Sequence, residues 1–160
     1  MAGRVQREDF DIGAETAHLG QGAGALCMFV GLVRDLNEDR PVSAMTLEHY
    51  PGMTERELER IDQEARARWP LNDTLIVHRY GRLEPGDRIV LVAVASARRD
   101  AAFDACRFII DSLKTRAPFW KAEDADGGRR WVEAREEDQA SDRRWDVAGA
   151  AVAKRTAPAR

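Results

Sequence analysis

The order of apolar patterns constrains the fold most, because strand-like segments surround two amphipathic helical segments without a repeat or an internal linker. Residues 24–33 form a continuous apolar run, which predicts a buried strand. Apolar and polar residues alternate over residues 42–50, which predicts a second strand that Pro51 and Gly52 end. Because strands outnumber the helices, the sequence predicts an α+β domain with antiparallel strands and two main helices.

Two segments have the residue spacing of amphipathic helices. In the first, Thr54 and Glu57 have the spacing of a capping box, and apolar residues recur at helical intervals up to Trp69. The second helix follows residues 97–100 and ends before Pro118. Its predicted core face consists of Phe103, Cys106, Ile109, Ile110 and Leu113.

Two hairpins complete the predicted domain. Residues 74–83 and 88–97 read as strands that Pro85-Gly86-Asp87 joins by a turn. Residues 119–136 predict a last hairpin around Asp126-Gly127-Gly128. The domain is therefore expected over residues 1–145, and the Ala-rich residues 146–160 are expected to form a mobile tail.

Composition excludes several classes of protein. With 44% hydrophobic and 33% charged residues, the chain fits a globular domain with a core. No apolar run approaches the roughly 20 residues of a membrane span, and the N-terminus lacks the apolar stretch of a secretory signal. The sequence therefore predicts a soluble, cytoplasmic protein. A formal net charge of −3 argues against binding of nucleic acid through overall charge.

The cysteines and histidines favour structural roles. Cys27 and Cys106 lie in separate apolar segments without metal-binding or CxxC spacing, so we interpret both as buried thiols without a resolving neighbour. His49 and His78 lie in strand-like segments, where a hydrogen-bonded core or edge histidine is the favoured interpretation. Because HxxxH, HExxH, P-loop and GxGxxG patterns are all missing, the sequence predicts neither a metal nor a nucleotide cofactor.

Basic residues recur at the ends of the predicted elements. Taken singly, each fits a solvated surface charge, and Lys114 and Arg116 could complement the dipole of the second helix. Cations from several element ends can instead meet in one pocket, which on an acidic protein favours a compact anion such as a phosphate. The residues in question are Arg34, Arg98, Arg99, Lys114, Arg116, Lys121 and Arg135.

Several longer strings of the sequence are specific enough to indicate a protein family. Two of them, LEHYPGM and LKTRAPFWK, are unusually specific. The others are GLVRD, ARARWPL, HRYGRLEPGD, SARRDAAFDACRFIIDSLKTRAPFWK and RWVEARE. In their order and spacing, these strings resemble the family of large, catalytic subunits of molybdopterin synthase, over residues 24 to 145.

This resemblance implies an α/β hammerhead-type fold and a sulfurtransferase of molybdenum cofactor biosynthesis. It implies a homodimer that binds one small ubiquitin-like sulfur carrier at each outer end, as a heterotetramer. The carrier's C-terminal Gly-Gly thiocarboxylate would enter a pocket of the large subunit. There, two rounds of sulfur transfer would convert cyclic pyranopterin monophosphate into the dithiolene of molybdopterin, without a metal.

The family's functional positions match Arg34, Arg99, Lys114, Lys121 and Arg135 of this sequence. Lys114 is expected to act as general base or acid, because a desolvated lysine or one crowded by cations can lose its proton. Lys121 is expected to stabilise developing negative charge. Arg98 stands where the family commonly has a histidine, which removes an imidazole but leaves a phosphate contact available. All six residues, Arg34, Arg98, Arg99, Lys114, Lys121 and Arg135, are expected to bind substrate.

Two other classes of function remain open at this point. One is a non-catalytic module whose pocket binds a phosphate ligand or the C-terminal carboxylate of a partner. The other is a small RNA-binding domain, in which Arg98 and Arg99 would act together with Phe119 and Trp120. A salt-sensitive gel shift with RNA, compared with co-purification of a small protein ending in Gly-Gly, distinguishes these interpretations.

Overall fold

The computed structural model describes residues 3–37, 39–125, 128–132 and 138–146. The helices are α1 (Ile12–Thr16), α2 (Met53–Arg68), α3 (Arg99–Arg116) and α4 (138–146). The strands are β1 (Gly3–Gln6), β2 (Ala25–Leu32), β3 (Leu36–Asn37), β4 (Arg40–His49), β5 (Asp73–Arg79), β6 (Gly81–Leu83), β7 (Arg88–Ser96), β8 (Phe119–Ala125) and β9 (Gly128–Val132).

These strands form two sheets. The first has the order β1-β5-β7-β2, and the second has the order β3-β4-β8-β9 with β6 also paired to β4. All pairs are antiparallel except β1 with β5. The predicted α+β class with two main helices is therefore confirmed, with this one parallel pair as an exception. Among the described residues, no helix has both the length and the apolar character needed to cross a membrane.

The predicted hairpin over residues 74–97 is confirmed, but its first strand is divided. β5 pairs with β7 from Asp73 opposite Ala95 to His78 opposite Val90. Gly81 then has a φ of 91°, a conformation that suits glycine, and the chain turns into β6, which joins the second sheet. This division connects the two sheets and places a small cluster of apolar residues between them. The cluster contains Val33, Met45, Leu47 and Leu83.

The prediction of a buried strand over residues 24–33 is wrong for much of its length. β2 lies at an edge of the first sheet, and among the described strands it pairs only with β7. Several of its large apolar side chains are exposed, including Met28 at 46% and Leu32 at 54% of their surface. An apolar run indicates that a strand favours a covered environment, but it cannot show that the same chain provides the cover.

The predicted capping box of α2 is also wrong, by two residues. The helix begins after Gly52, whose backbone N–H donates to the Glu55 carboxylate over 2.6 Å. Thr54 is buried in the first turn, where its hydroxyl donates to the backbone oxygen of Tyr50 over 2.9 Å. Glu57 instead accepts a hydrogen bond from Arg116 of α3 over 3.1 Å. Gly52 has no side chain to complete the motif, so the sequence pattern pointed to Thr54 and Glu57 instead.

The main core lies between helices α2 and α3 and the first sheet. Trp69, Phe108 and Trp145 pack their rings together, with centroids 5.5 to 5.6 Å apart. On the predicted core face of α3, Cys106, Ile109 and Leu113 are buried and Ile110 is half-buried. Phe103 is 60% exposed, so its assignment to the core is wrong. Helical spacing locates the centre of an apolar stripe more reliably than its margin.

The two cysteines are neighbours in the fold. This corrects the expectation that neither thiol has a second cysteine beside it. Cys106 is buried in α3, and Cys27 is half-buried on the strand β2 beside it. Burial raises the pKa of the Cys106 thiol, and the nearby Cys27 thiol raises it further. Both side chains are free thiols. The structural interpretation of Cys106 is confirmed, because its reactive thiolate form is disfavoured.

Candidate active site

A cavity of about 280 Å³ lies between the two sheets at the C-terminal end of α3. Apolar side chains of both sheets, of α3 and of the segment after β2 form much of its wall, among them Met45, Leu47, Leu113 and Val33. Among the residues that the structure describes, Arg34, Lys114 and Lys121 are the lysines and arginines that line it. The cavity thus combines an apolar wall with positive charges, an arrangement that suits an organic anion.

The three cations come from three separate elements. Arg34 follows β2, Lys114 lies in the last turn of α3, and Lys121 lies on β8. Their meeting in one cavity agrees with the expectation that cations at element ends would converge. Their separation in the sequence explains why no short motif contains them.

Arg98 and Arg99 lie far from this cavity in the single chain. Arg98 precedes α3 and donates to the Asp100 carboxylate over 3.0 Å, with 64% of its side chain exposed. Arg99 is the first residue of α3, whereas Lys114 is in its last turn. At 1.5 Å per residue, the helix separates Arg99 from Lys114 by about 22 Å. Arg135 lies outside the described residues.

Arg116 belongs to the scaffold of the site. Its guanidinium forms ion pairs with Glu64 over 2.6 Å and with Glu57 over 3.1 Å, which join α3 to α2. Although burial disfavours its charge, the two carboxylates raise the pKa of Arg116. These pairs hold the last turn of α3, where Lys114 lies, against the neighbouring helix.

Glu123 lies beside Lys121 and was not predicted from the sequence. Lys121 Nζ is 3.3 Å from Glu123 Oε1, and Glu123 is 5% exposed. The two residues are separated by one position on β8, so both point to the same face of the strand. Both line the cavity. The period of two along a strand, counted from Lys121, is the sequence signal that points to Glu123.

His78 is another residue of the cavity wall. It is 8% exposed, its Nδ1 lies 2.8 Å from the backbone oxygen of Arg79, and its ring stacks on Phe119 at a centroid distance of 3.8 Å. Burial lowers the pKa of His78 to about 4, against the opposing hydrogen bond to Arg79, and the charges of Lys114 and His49 add to this lowering. The predicted hydrogen-bonded core histidine is therefore confirmed, and it also faces the cavity.

The choice of lysine over arginine is a second signal that the sequence contained. Among the 25 basic residues of the chain, only Lys114, Lys121 and Lys154 are lysines. Two of these three line the same cavity. An arginine is always charged at working pH, whereas a lysine can release its proton. Lys114 and Lys121 are therefore the cations of this cavity whose charge can change by release of a proton.

The family model of the MoaE protein matches residues 5–116, which is more than half of the chain. The chain belongs to the MoaE family. The molybdopterin synthase catalytic subunit of Pseudomonas aeruginosa is 58% identical over 149 residues, covering 91% of this chain and 99% of that protein.

Solved structures agree with the MoaE assignment. The MoaE protein from Burkholderia ambifaria has a TM-score of 0.78 and 53% identity, covering 91% of this chain and 99% of that one. A complex of subunits 1 and 2 of the molybdopterin-converting factor from Helicobacter pylori contains a chain with a TM-score of 0.67. Its identity is 21%, over 83% of this chain and 91% of that chain, so it supports the fold alone.

As a MoaE protein, this chain is a sulfurtransferase of molybdenum cofactor biosynthesis. The comparisons support this interpretation and not the two alternatives. The structure gives a physical reason against the RNA-binding interpretation as well. Phe119 stacks on His78, and Trp120 packs against Tyr50 at 4.5 Å, so neither ring lies beside Arg98 or Arg99 as a shared platform.

Proposed function

We propose that this chain transfers sulfur from the thiocarboxylated C-terminus of a small ubiquitin-like carrier to cyclic pyranopterin monophosphate, which forms the dithiolene of molybdopterin. The observation that supports this most is the meeting of Arg34, Lys114 and Lys121 in one apolar-walled cavity. The substrate is a flat heterocycle that carries a phosphate, and the carrier tail ends in a second anion. The apolar wall of the cavity suits the heterocycle, and its cations suit the phosphate and the anionic end of the carrier tail.

The three cations divide the chemistry between them. Arg34 binds the phosphate, because a guanidinium can donate two hydrogen bonds to it. Lys114 moves a proton during attack by the thiocarboxylate sulfur, acting as general base or acid. Lys121 stabilises negative charge that develops on the reacting atoms, and Glu123 holds its ammonium in place. Neither thiol of the chain takes part, because the transferred sulfur comes from the carrier.

The partner in this proposal is a small carrier subunit. The proposed reaction needs such a subunit, because the transferred sulfur does not come from this chain. We infer an assembly with one carrier at each end of a homodimer and no nucleic acid or membrane as partner. The cytoplasmic location stays a prediction from the sequence.

The exposed edge of β2 supports the homodimer. Leu26, Met28, Phe29 and Leu32 expose apolar surface on a strand whose outer edge pairs with none of the described strands. A second copy that pairs with this edge in the antiparallel sense would cover both the side chains and the backbone groups. Phe103, an exposed aromatic residue of the adjacent helix α3, adds to the apolar surface available for this contact.

Such a dimer also gives Arg98 and Arg99 a place in the site. In two-fold antiparallel pairing, the Leu32 end of one β2 strand lies beside the Ala25 end of the other. Ala25 pairs with Ser96, and Arg98 and Arg99 follow Ser96 along the chain. The arginines of one subunit would therefore approach the cavity of its partner, where Leu32 and Arg34 lie.

The deciding experiment combines the purified chain with thiocarboxylated carrier and the pterin precursor. We expect dithiolene product in proportion to the thiocarboxylate supplied. The matched control is the same carrier with an ordinary C-terminal carboxylate, which should bind without forming product. Carrier binding without turnover in both cases would favour the non-catalytic module instead.

A further inference from the structure

Asp138 lies in the wall of the cavity together with the three cations, and the proposed reaction gives it no role. It is half-buried and begins the described part of α4. With the residues that the structure describes, its carboxylate forms neither a hydrogen bond nor an ion pair. Glu123, the other described carboxylate of the wall, is instead held by Lys121 and Arg130. Asp138 therefore has both of its oxygens available to a ligand.

The helix that carries Asp138 is fixed to the main core near its other end. Trp145 is 6% exposed and packs its ring into that core. The indole Nε1 donates to the Asp111 carboxylate over 2.8 Å, and the backbone oxygen of Trp145 accepts from Arg68 over 2.9 Å. Because α4 is short, these contacts also fix the position of its first turn. The carboxylate of Asp138 is thus presented to the cavity by an anchored helix.

Asp138 and Arg34 reach the cavity from opposite edges of the second sheet. Arg34 precedes β3 by two residues, and Asp138 follows β9 by six. β3 and β9 are the edge strands in the order β3-β4-β8-β9, so three strand spacings, about 14 Å in total, separate them. Lys121 lies on β8, between these edges. A ligand that spans the cavity therefore meets a guanidinium at one end, a carboxylate at the other and an amine between them.

A pterin offers a carboxylate a matching pair of hydrogen-bond donors. On its aminopyrimidinone edge, a ring N–H lies beside an exocyclic NH₂ group, and the two can donate parallel hydrogen bonds to the two oxygens of one carboxylate. We propose that Asp138 binds this edge and is a specificity-determining residue for the pterin. The inference rests on the proposed function, because that function supplies the pterin as substrate. Since the phosphate is at the far end of the substrate, binding at Asp138 directs it toward Arg34.

A carboxylate among cations has a second conceivable role, which is only to balance their charge. The two roles predict opposite effects when Asp138 is neutralised to asparagine. If the carboxylate only balances charge, its removal raises the affinity for every anion, because the cations then act on the ligand unopposed. If Asp138 binds the aminopyrimidinone edge, Asp138→Asn weakens the binding of ligands that have this edge, because one acceptor oxygen is replaced by a donor.

The first test measures the equilibrium binding of two fluorescent probes that differ at this edge. Pterin carboxylate has the exocyclic amino group, lumazine carboxylate has an oxygen in its place, and both have the same carboxylate for the cations. We expect the wild type to bind the pterin probe at least about ten-fold more tightly, since the extra oxygen of lumazine would oppose the Asp138 carboxylate. Asp138→Asn should lose this preference through weaker binding of the pterin probe, while the lumazine probe binds equally or more tightly.

Asp146→Asn is the matched control, because it makes the same change at an exposed residue of α4. Both affinities should stay at the wild-type values in this variant. Equal affinity of the wild type for the two probes, failure to bind the pterin probe, or tighter binding of both probes by Asp138→Asn overturns the inference. Because these titrations need neither carrier nor turnover, their outcome is independent of whether sulfur transfer occurs.

The second test separates binding from chemistry in the reaction with thiocarboxylated carrier. Asp138→Asn should raise the KM for the pterin precursor at least about ten-fold, and the affinity for carrier with an ordinary carboxylate should change less than about two-fold. An unchanged KM in this variant overturns the inference. Absence of product with the wild type counts against the proposed function instead, and the probe titrations then still decide the role of Asp138. Thermal unfolding verifies that each variant is folded.

Discussion

Lys121 Nζ lies 3.3 Å from Glu123 Oε1, and both side chains face the cavity from alternate positions of β8. Glu123 is buried and also has Arg130 at 3.9 Å, so one carboxylate holds two cations. The pair fixes the Lys121 ammonium at the wall. Without the carboxylate, that ammonium would be free to take other rotamers.

Glu123→Gln should therefore lower the single-turnover rate, but by less than Lys121→Ala, because the cation stays while its placement loosens. Thermal unfolding should show a loss of about 1 to 3 kcal/mol, since a buried charged hydrogen-bond acceptor is replaced. Glu84→Gln is the control, because Glu84 pairs with Arg82 on an exposed surface. Equal rates for Glu123→Gln and the wild type would contradict the positioning role of Glu123.

The buried imidazole gives a pH dependence of stability. His78 has a pKa of about 4 in the fold against 6.5 as its ordinary value, so the unfolded chain binds a proton that the folded chain does not. The free energy of unfolding should therefore fall as pH decreases from 6.5 to about 4, and the His78 contribution to this fall should be about 3 kcal/mol.

Urea unfolding at a series of pH values measures this effect. In His78→Gln the free energy of unfolding should fall less between pH 6.5 and 4, by about 3 kcal/mol, because glutamine does not titrate. His18→Gln is the matched control, since it makes the same substitution at an exposed histidine. A His78→Gln profile parallel to that of the wild type would show that folding does not lower the pKa of His78.

The thiols should be dispensable for turnover. The transferred sulfur comes from the carrier, and burial and Cys27 raise the pKa of Cys106, so its nucleophilic thiolate is scarce at neutral pH. We expect Cys27→Ser combined with Cys106→Ala to retain turnover per folded protein. Alanine suits position 106, because a serine there would bury a hydroxyl in an apolar core. Loss of turnover without loss of the near-UV circular dichroism signal would show that a thiol takes part.

The sequence predicted more of the fold than of the site, and particular residues show why. The turn at Pro85-Gly86-Asp87 and the stripe through Cys106, Ile109 and Leu113 depend on local chemistry, which a single chain reveals. The edge position of β2 depends on tertiary pairing, which periodicity does not encode. The apolar sequence pattern is the same for a strand at the edge of a sheet and for one at its centre. For this reason Leu32 was expected to be buried, whereas it is exposed.

The candidate site was found in part for a similar reason. Arg34, Lys114 and Lys121 were predicted, because their element ends and the family strings both pointed to them. His78 was assigned to the core, and Glu123 was overlooked. Both face the cavity only because β5 and β8 approach each other across the two sheets, a relationship of residues far apart in the chain.

The homodimer proposal predicts that Met28→Glu produces a monomer. A carboxylate on the exposed edge of β2 would be buried without a partner in the paired state, which is costly. Light scattering should give a dimer for the wild type and a dimeric core with two carriers for the complex. Asp73→Lys is the control, because Asp73 is exposed on β5 and away from this edge.

A shared site makes a sharper prediction. If Arg99 serves the partner's cavity, a mixed dimer of one Lys114→Ala and one Arg99→Ala subunit contains one intact site. Differently tagged subunits can be co-expressed and the mixed dimer purified through both tags. It should regain about half of the wild-type rate, although each parent dimer is inactive. An inactive mixed dimer, or an active Arg99→Ala parent, would contradict the shared site.

The role of Lys114 as a proton-transfer group differs from that of a plain positive charge, and arginine separates the two. Lys114→Ala removes both functions and should lower the single-turnover rate at least about 10²-fold while carrier binding persists. Lys114→Arg keeps the charge but cannot release a proton at working pH, so we expect little rescue. Lys121→Arg should rescue much of the activity lost in Lys121→Ala, because only charge is assigned to that position and Glu123 can pair with the guanidinium. The rates are compared at saturating thiocarboxylated carrier, with circular dichroism to verify folding. Near-wild-type turnover by Lys114→Arg would make Lys114 one more anion-binding cation and assign the proton transfer elsewhere.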